Sequence, residues 1–169
     1  MNERFTLRRD WGKAVASDRK VVNFIMLNPS TADDVFDDAT IRRCVGFAKR
    51  WGFTELVVTN LFAYRATDPK ELKRLAKSDY SLAVGDNNDA HILREADNAN
   101  TIVCAWGDNA DGFRRDLDVI QMLRKHDLYC IRRTAKGNPA HPVREPYAVA
   151  LDSPILFYPK LNIVPERRP

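Results

Sequence analysis

The sequence predicts an α/β fold, specifically a three-layer α/β/α sandwich with a mainly parallel four-stranded central sheet. Four short apolar runs alternate along the chain with stretches whose apolar residues recur at helical spacing. The runs contain almost no polar residue, which is typical of strands buried on both faces of a parallel sheet. Alternating strands and helices build such a sheet with helices on both faces. The predicted strands are residues 21–27, 56–60, 101–106 and 128–131.

The elements of the first half have recognisable starts and stops. Residues 5–12 indicate a short edge strand and a turn ahead of the first buried strand. Asp37 or Asp38 can cap the helix that follows, and Gly52 stands where that helix is expected to end. The apolar positions that give this helix its spacing are Ile41, Cys44, Val45 and Ala48.

The second half continues the alternation and then changes character. Asp68, Pro69 and Glu71 form a helix start with a cap, a first-turn proline and a capping-box glutamate. A polar helix is expected around residues 89–97. Beyond Asp152 the chain has four prolines, so residues 152–169 are predicted to be an irregular strap or tail of a single domain. The last helix is predicted from Phe113, Leu117, Ile120 and Leu123.

Composition excludes some classes of protein and leaves others open. The 169 residues are enough for one domain with a sizeable core. No apolar stretch is long enough to span a membrane and the amino terminus is no secretory signal, so we expect a cytoplasmic protein. We also expect a monomer, although no sequence feature sets the oligomeric state. The three cysteines lie far apart in apolar segments, which predicts buried thiols and neither metal nor cofactor. A net charge of +4 permits nucleic-acid binding without demonstrating it.

Polar loops follow the predicted strands at the ends where an open α/β sheet carries its chemistry. Asn28 follows the first strand, Asn60 ends the second, and Trp106 and Gly107 end the third. The fourth strand leads into a loop that carries His141 between two nearby prolines. The carboxyl ends of parallel strands share one edge, so these loops are expected to converge on one site.

Four motifs in this order resemble the uracil-DNA glycosylase-like superfamily. They are LNPS at 27–30, TNLFAYRATDP at 59–69, AWG at 105–107 and AHP at 140–142. The first resembles the asparagine version of the superfamily's opening loop, and the last resembles its His-Pro loop. Over most of its length the chain also resembles a bacterial and phage family of unknown function, through motifs that run from Leu27 to Arg65.

Three departures from the superfamily pattern bear on rate and substrate. The iron–sulfur cysteines of its thermostable branch are absent. The final motif reads HPVR at 141–144 instead of His-Pro-Ser, which removes a small hydroxyl residue. Asn28 stands in register with a water-activating aspartate, and an amide cannot act as a base near neutral pH.

The resemblance implies hydrolysis of the N-glycosidic bond of a damaged or modified pyrimidine in DNA, in repair or in defence against phages. His141 would contact the departing base, with a loop histidine that satisfies local backbone as the alternative. Asn60 would read the base edge, although a strand-end asparagine also caps turns. Asn28 would position a water with the help of Asp38 or, second, Asp33, and plain helix capping also explains both carboxylates.

The remaining candidates concern the flipped base and the DNA backbone. Phe36 and Phe62 could stack on a base, and Phe62 is equally suited to the core. The others could meet phosphate, although a helix cap or an ordinary surface role explains most of them as well. These residues are Ser30, Thr31, Arg42, Arg43, Arg65, Gly107 and Arg144.

Two other functions remain open at this point. The chain could keep the pocket and lack catalysis, as a binding module for modified DNA or nucleotides, which Asn28 without a guaranteed carboxylate would suit. It could also hydrolyse free nucleosides or nucleotides, in which case activity would depend weakly on salt.

Overall fold

The structure is a computed structural model that describes residues 3–11, 16–30, 37–150 and 154–158. Within these residues the chain is α/β, with helices around one six-stranded mixed sheet. The strands are β1 (Leu7–Asp10), β2 (Val21–Met26), β3 (Glu55–Asn60), β4 (Thr101–Cys104), β5 (Leu128–Cys130) and β6 (Ile155–Tyr158). The α-helices are α1 (Ala39–Arg50), α2 (Pro69–Ser78), α3 (Tyr80–Val84), α4 (Asn88–Asn98) and α5 (Arg115–Met122).

The strand order is β1-β3-β2-β4-β5-β6. The four inner strands are parallel to one another and correspond to the four predicted strands, whereas β1 and β6 pair antiparallel at the edges. The edge strand predicted within residues 5–12 is therefore confirmed as β1. The prediction of an irregular segment from residue 152 needs correction, because Ile155–Tyr158 pairs with β5. Residues 151–153 and 159–169 lie outside the described part of the chain.

Alternate side chains of the inner strands enter two separate apolar clusters. Phe24 of β2 packs in a cluster with Phe47 of α1, while its neighbour Ile25 belongs to a cluster with Ile92 of α4 and Val119 of α5. Successive side chains of a strand point to opposite faces, so each cluster covers one face of the sheet. This double burial is the reason why the inner strands read as continuous apolar runs.

Local chemistry sets the helix starts. Asp38 caps α1 by accepting from the Ile41 amide at 2.8 Å, and Asp68 caps α2 by accepting from the Lys70 amide at 2.9 Å. Both caps are confirmed. The short helix α3 was not predicted, and α5 turns Val119 into the core while Leu117, predicted on its apolar side, is 48% exposed.

The three cysteines, Cys44, Cys104 and Cys130, are buried free thiols, as predicted. Loss of hydration raises the pKa of each thiol, that of Cys130 to about 11, so the three are protonated at neutral pH. Among the described residues, no helix combines the length and apolar character needed to cross a membrane.

Candidate active site

The loops at the carboxyl ends of the inner strands enclose a cavity of ≈ 230 Å³. Because Met26 at the end of β2 pairs with Asn60 at the end of β3, the loops after these strands leave the sheet side by side. The loops after β4 and β5 reach the same edge. The polar and aromatic residues that line the cavity include Arg4, Asn28, Ser30, Asp38, Asn60, Trp106, Asn109 and His141.

Asn60 contributes a buried amide to this cavity. The residue is 2% exposed, and its side chain makes no hydrogen bond with any described residue. Its backbone is held firmly, since Nδ2 of the buried Asn88 donates to the carbonyl oxygens of Asn60 and Leu61 at 3.0 Å each. The Nε of Arg115 donates to the same Leu61 carbonyl. A fixed amide with free donors and an acceptor can recognise a ligand that offers the complementary pair.

Asn28 ties two of the loops together. Its Nδ2 donates to the carbonyl oxygens of Ala66 at 2.7 Å and Pro29 at 3.1 Å, which joins the loop after β2 to the loop after β3. With the nitrogen committed to backbone, the Oδ1 is the polar atom that remains. It accepts no hydrogen bond from the described residues, so it is available to a water or a ligand.

Asp38 lines the cavity while it caps α1. Its Oδ1 accepts from the Ile41 amide, and its Oδ2 accepts from the hydroxyl of Ser30. Each carboxylate oxygen has a second lone pair, so one more donor can still bind on either side. The predicted alternative for Asp38, a helix cap, is thus correct, whereas Ser30 caps no described helix and instead donates to Asp38. Both side chains line the cavity.

His141 is half-buried in the cavity wall, directly before a 3₁₀ turn at Pro142–Arg144. Its Nδ1 accepts from the Val143 amide at 3.4 Å, which assigns the proton of the neutral ring to Nε2. Loss of hydration lowers the pKa of His141, and the charge of Arg144 lowers it further, against an opposing effect of Asp38. The neutral ring with an Nε2–H donor is therefore favoured at pH 7.

Gly107 supports His141 from the neighbouring loop. The Gly107 amide donates to the Pro139 carbonyl at 2.9 Å, and its backbone has φ +71° and ψ −176°. A Cβ at this position would stand 3.2 Å from the Cβ of His141. Gly107 was predicted to let a phosphate approach closely. In the structure, the segment that approaches Gly107 closely is the loop that carries His141.

A second cavity of ≈ 620 Å³ adjoins the first. The two share Trp106, Asn109 and His141 as wall residues. Arg144 is exposed on the second cavity, where Glu145 holds Arg132 through two hydrogen bonds of 2.7 and 2.9 Å. Trp106 also packs in the core, 6.2 Å from the ring of Phe157, and its indole nitrogen is buried without a hydrogen-bond partner among the described residues.

Two predicted site residues are corrected by their positions. Phe62 is fully buried in the core, with its ring centroid 4.8 Å from that of Phe113, so it cannot stack on a base. Arg43 donates to the Glu145 carbonyl and packs its guanidinium 3.9 Å over the ring of Tyr147. These contacts fix α1 against the 3₁₀ segments near the end of the described chain, which leaves Arg43 a structural side chain.

The other predicted residues fall into two groups. Arg42 is exposed and donates to the Asp37 carbonyl at 2.6 Å, and Arg65 donates to the Ser30 carbonyl at 3.4 Å. Thr31, Asp33 and Phe36 lie outside the described residues.

In the parts of the chain that the structure describes, no three His, Cys, Asp or Glu side chains are grouped to hold a metal ion.

Sequence reasoning did not find Arg4, Asn88, Asn109 or Arg115. Arg4 comes from the segment before β1, and its amide donates to the Ala63 carbonyl at 2.9 Å, which brings its side chain to the cavity. Asn88 and Arg115 act on carbonyls far away in the sequence, and no local pattern marks such contacts.

Comparison with known proteins assigns the chain to a family. No curated protein and no solved structure matches it. Residues 4–143 match the family described as "Protein of unknown function (DUF1643)", and this range includes the segment from Leu27 to Arg65 on which the closer resemblance rests. The match carries no link to the uracil-DNA glycosylase-like superfamily. Because it covers most of the sequence, the chain belongs to the DUF1643 family, whose function is unknown.

Proposed function

We propose that the chain is a DNA base N-glycosylase, which releases a damaged or modified pyrimidine by hydrolysis. The observation that carries the proposal is the Asn60 amide, 2% exposed, in a cavity wall and without a partner among the described residues. The amide uses neither its donors nor its acceptor within the described protein, so it can bind a ligand with a donor and an acceptor side by side. The edge of a nucleobase offers such a pair.

The size of the cavity supports a small ligand group. Its ≈ 230 Å³ is below the roughly 300–1,000 Å³ typical of sites for drug-sized molecules. A single base fits this scale better than a complete nucleotide does. The adjoining cavity beyond His141 provides room for further parts of the substrate. We also propose that the six-stranded sheet is the middle layer of the three-layer α/β/α sandwich of the glycosylase superfamily. The protein is proposed to be cytoplasmic.

In the proposed reaction a water attacks C1′ of the deoxyribose while the C1′–N bond breaks. The bonding electrons leave with the base, and the negative charge that develops on its carbonyl oxygen receives the Nε2–H of His141. The Oδ1 of Asn28 holds the water, and the Asp38 carboxylate accepts its proton. His141 stays neutral throughout, in keeping with its lowered pKa.

A binding module without catalysis is the second candidate. The observation that favours it is that the side chains expected to activate water already make hydrogen bonds within the protein. Asp38 already accepts hydrogen bonds at both oxygens, and the amide nitrogen of Asn28 is used by the backbone. Such a module would recognise the modified base and leave the glycosidic bond intact. Hydrolysis of free nucleosides remains a third, narrower alternative.

Base release from a panel of DNAs separates these functions. The panel contains uracil, hydroxymethylcytosine, its glucosylated form, modified thymines and common lesions, and abasic sites are detected by alkaline cleavage. We expect release from one class of substrate and a loss of about 10²–10³-fold in rate for His141→Ala. The matched control is His126→Ala, because His126 pairs with Asp97 at the opposite edge of the sheet.

Each outcome of this experiment supports a different one of the three candidate functions. Release that His141→Ala abolishes and His126→Ala preserves supports the glycosylase. Tight binding of a modified DNA without release supports the binding module. Release from free nucleosides with little dependence on salt would replace DNA by a mononucleoside as the substrate.

A further inference from the structure

Four exposed cations of α2 form one stripe along the helix. Lys70, Lys73, Arg74 and Lys77 occupy the spacing i, i+3, i+4 and i+7, which puts all four on one side of a helix. These four residues form the cationic stripe. The reverse side carries Leu72, which is fully buried, so the packing of the helix fixes the stripe towards solvent.

The cationic stripe brings four cations without an acidic partner together on one face of one helix. Many basic side chains are engaged in ion pairs, among them Arg8, Arg19 and Arg115. No member of the stripe forms an ion pair with a described residue. Lys73 does lie over the ring of Phe113, at 6.0 Å. The pKa of nearby Asp111 is lowered chiefly by its bond with Lys136, and the charge of Lys73 lowers it slightly further.

The stripe is unfavourable for the helix on its own. Like charges at i, i+3 and i+4 repel each other, and Lys70 stands in the first turn, where the helix dipole disfavours a cation. The single acidic residue of α2, Glu71, accepts instead from the Tyr64 hydroxyl at 3.2 Å. A polyanion laid along the stripe would relieve this repulsion.

The position of α2 links the stripe to the candidate active site. Thr67 and Pro69 line the first cavity, and Lys70 is the next residue of the helix. The ten residues of α2 extend about 15 Å. At an axial spacing of ~3.4 Å per nucleotide in one strand of a duplex, that length accompanies about four phosphates.

We propose that the cationic stripe binds the phosphate backbone of the DNA strand whose base enters the cavity. The proposal rests on DNA as the substrate of the proposed function, and it adds the surface that holds the strand. The phosphates run along α2 away from the cavity rim, with Lys73 and Lys77 as the outer contacts. Contacts of this kind fix position and carry no sequence information.

The test measures the salt dependence of DNA binding with the full chain. Fluorescence anisotropy follows a labelled unmodified oligonucleotide, single-stranded and as a duplex, over a series of KCl concentrations. The variant is Lys73→Gln with Lys77→Gln. The control is Lys20→Gln with Arg124→Gln, which removes the same charge from two exposed cations that stand before the amino ends of β2 and β5.

Loss of two phosphate contacts reduces the slope of log K against log salt by about 1.4 for a single strand and about 1.8 for a duplex. We expect this reduction in the stripe variant and an unchanged slope in the control. Equal slopes for the stripe variant and the original chain would overturn the proposal. So would equal reductions in both variants, or a lack of salt-dependent binding by the original chain.

Base release measured on the same samples keeps the two proposals apart. A reduced slope in the stripe variant, together with silence across the substrate panel, refutes the glycosylase and leaves the DNA surface in place. Release that persists with an unchanged slope refutes the cationic stripe alone.

Discussion

The two ends of β3 each bury a polar side chain, and the fold treats the two in opposite ways. Glu55 opens the strand, and its carboxylate is held by Arg8 and by Arg19, the latter at 2.7 Å. Asn60 closes the strand, and its amide bonds to no described residue. The carboxylate of Glu55 is satisfied within the fold, whereas the Asn60 amide faces the cavity with its hydrogen-bonding groups unused by the described residues.

The same contrast is seen at the two ends of the parallel strands. At the amino end, near Glu55, the buried Glu95 is paired with Arg8 and Arg94. At the carboxyl end, near Asn60, the Trp106 indole nitrogen is buried and has no partner among the described residues. A buried polar group without a hydrogen bond costs about 1–3 kcal/mol, so the indole nitrogen lowers the free energy of unfolding.

Arg8→Met is expected to have the largest effect on stability. Arg8 contacts both Glu55 and Glu95, so its loss leaves two buried carboxylates close together with fewer donors. Removal of one partner of a buried pair costs about 3–5 kcal/mol, and the half-exposed arginines that remain reduce this to about 2–3 kcal/mol. Urea denaturation followed by circular dichroism measures the change in the free energy of unfolding.

Asn60→Ala is the counterpart at the other end of the strand. It removes no hydrogen bond to a described residue, so we expect a loss of less than about 1 kcal/mol in the free energy of unfolding. Base release should nevertheless fall strongly. A cost equal to that of Arg8→Met would mean that Asn60 is a structural residue after all.

Gly107→Ala is expected to reduce both the stability of the fold and the rate of base release. Gly107 has φ +71° and ψ −176°, a region that essentially only glycine adopts, so a side chain there is strained by about 1–3 kcal/mol. The new Cβ would also press on His141. The displaced ring should lower base release by about tenfold. Gly52→Ala is the matched control, because Gly52 has φ +79° and no atom within 4 Å of the added Cβ. If both variants reduced release equally, general strain rather than the position of His141 would explain the loss.

Much of the fold could be predicted because its causes are local. Continuous apolar runs mark the inner strands, and Asp38 and Asp68 are caps by their chemistry and position. The meeting of Asn28, Asn60 and His141 in one cavity followed from topology, since parallel strands end at a common edge. Only the elements and their order were needed for that inference.

The remainder depends on contacts between distant segments. Nothing near Asn88 indicates that its side chain holds the carbonyls of Asn60 and Leu61. Phe62 follows a strand end, where an apolar side chain can face either the cavity or the core, and packing on Phe113 decides for the core. The strand β6 is short and exposed on most of its residues, so its pairing with β5 outweighs a weak local signal.

The smallest expected effect concerns the dependence of base release on pH. The pKa of His141 is lowered below its ordinary 6.5 by burial and then by Arg144, so the ring is neutral through the neutral range. Protonation would add a hydrogen at Nδ1, which faces the Val143 amide, and the ring would lose the contact that orients it. Release should therefore be constant above pH 6.5 and decline only as the pH falls through the lowered pKa.

Arg144→Gln tests the cause of this acid limb. Removal of the positive charge raises the pKa of His141 towards its ordinary value, so the decline should begin at a higher pH than in the original chain. Stability should follow the same sign, because the unfolded chain binds the proton more readily and acid therefore favours unfolding below pH 6.5. A decline that stays where it was, or moves to lower pH, would exclude His141 as the titrating group, since its pKa responds directly to Arg144.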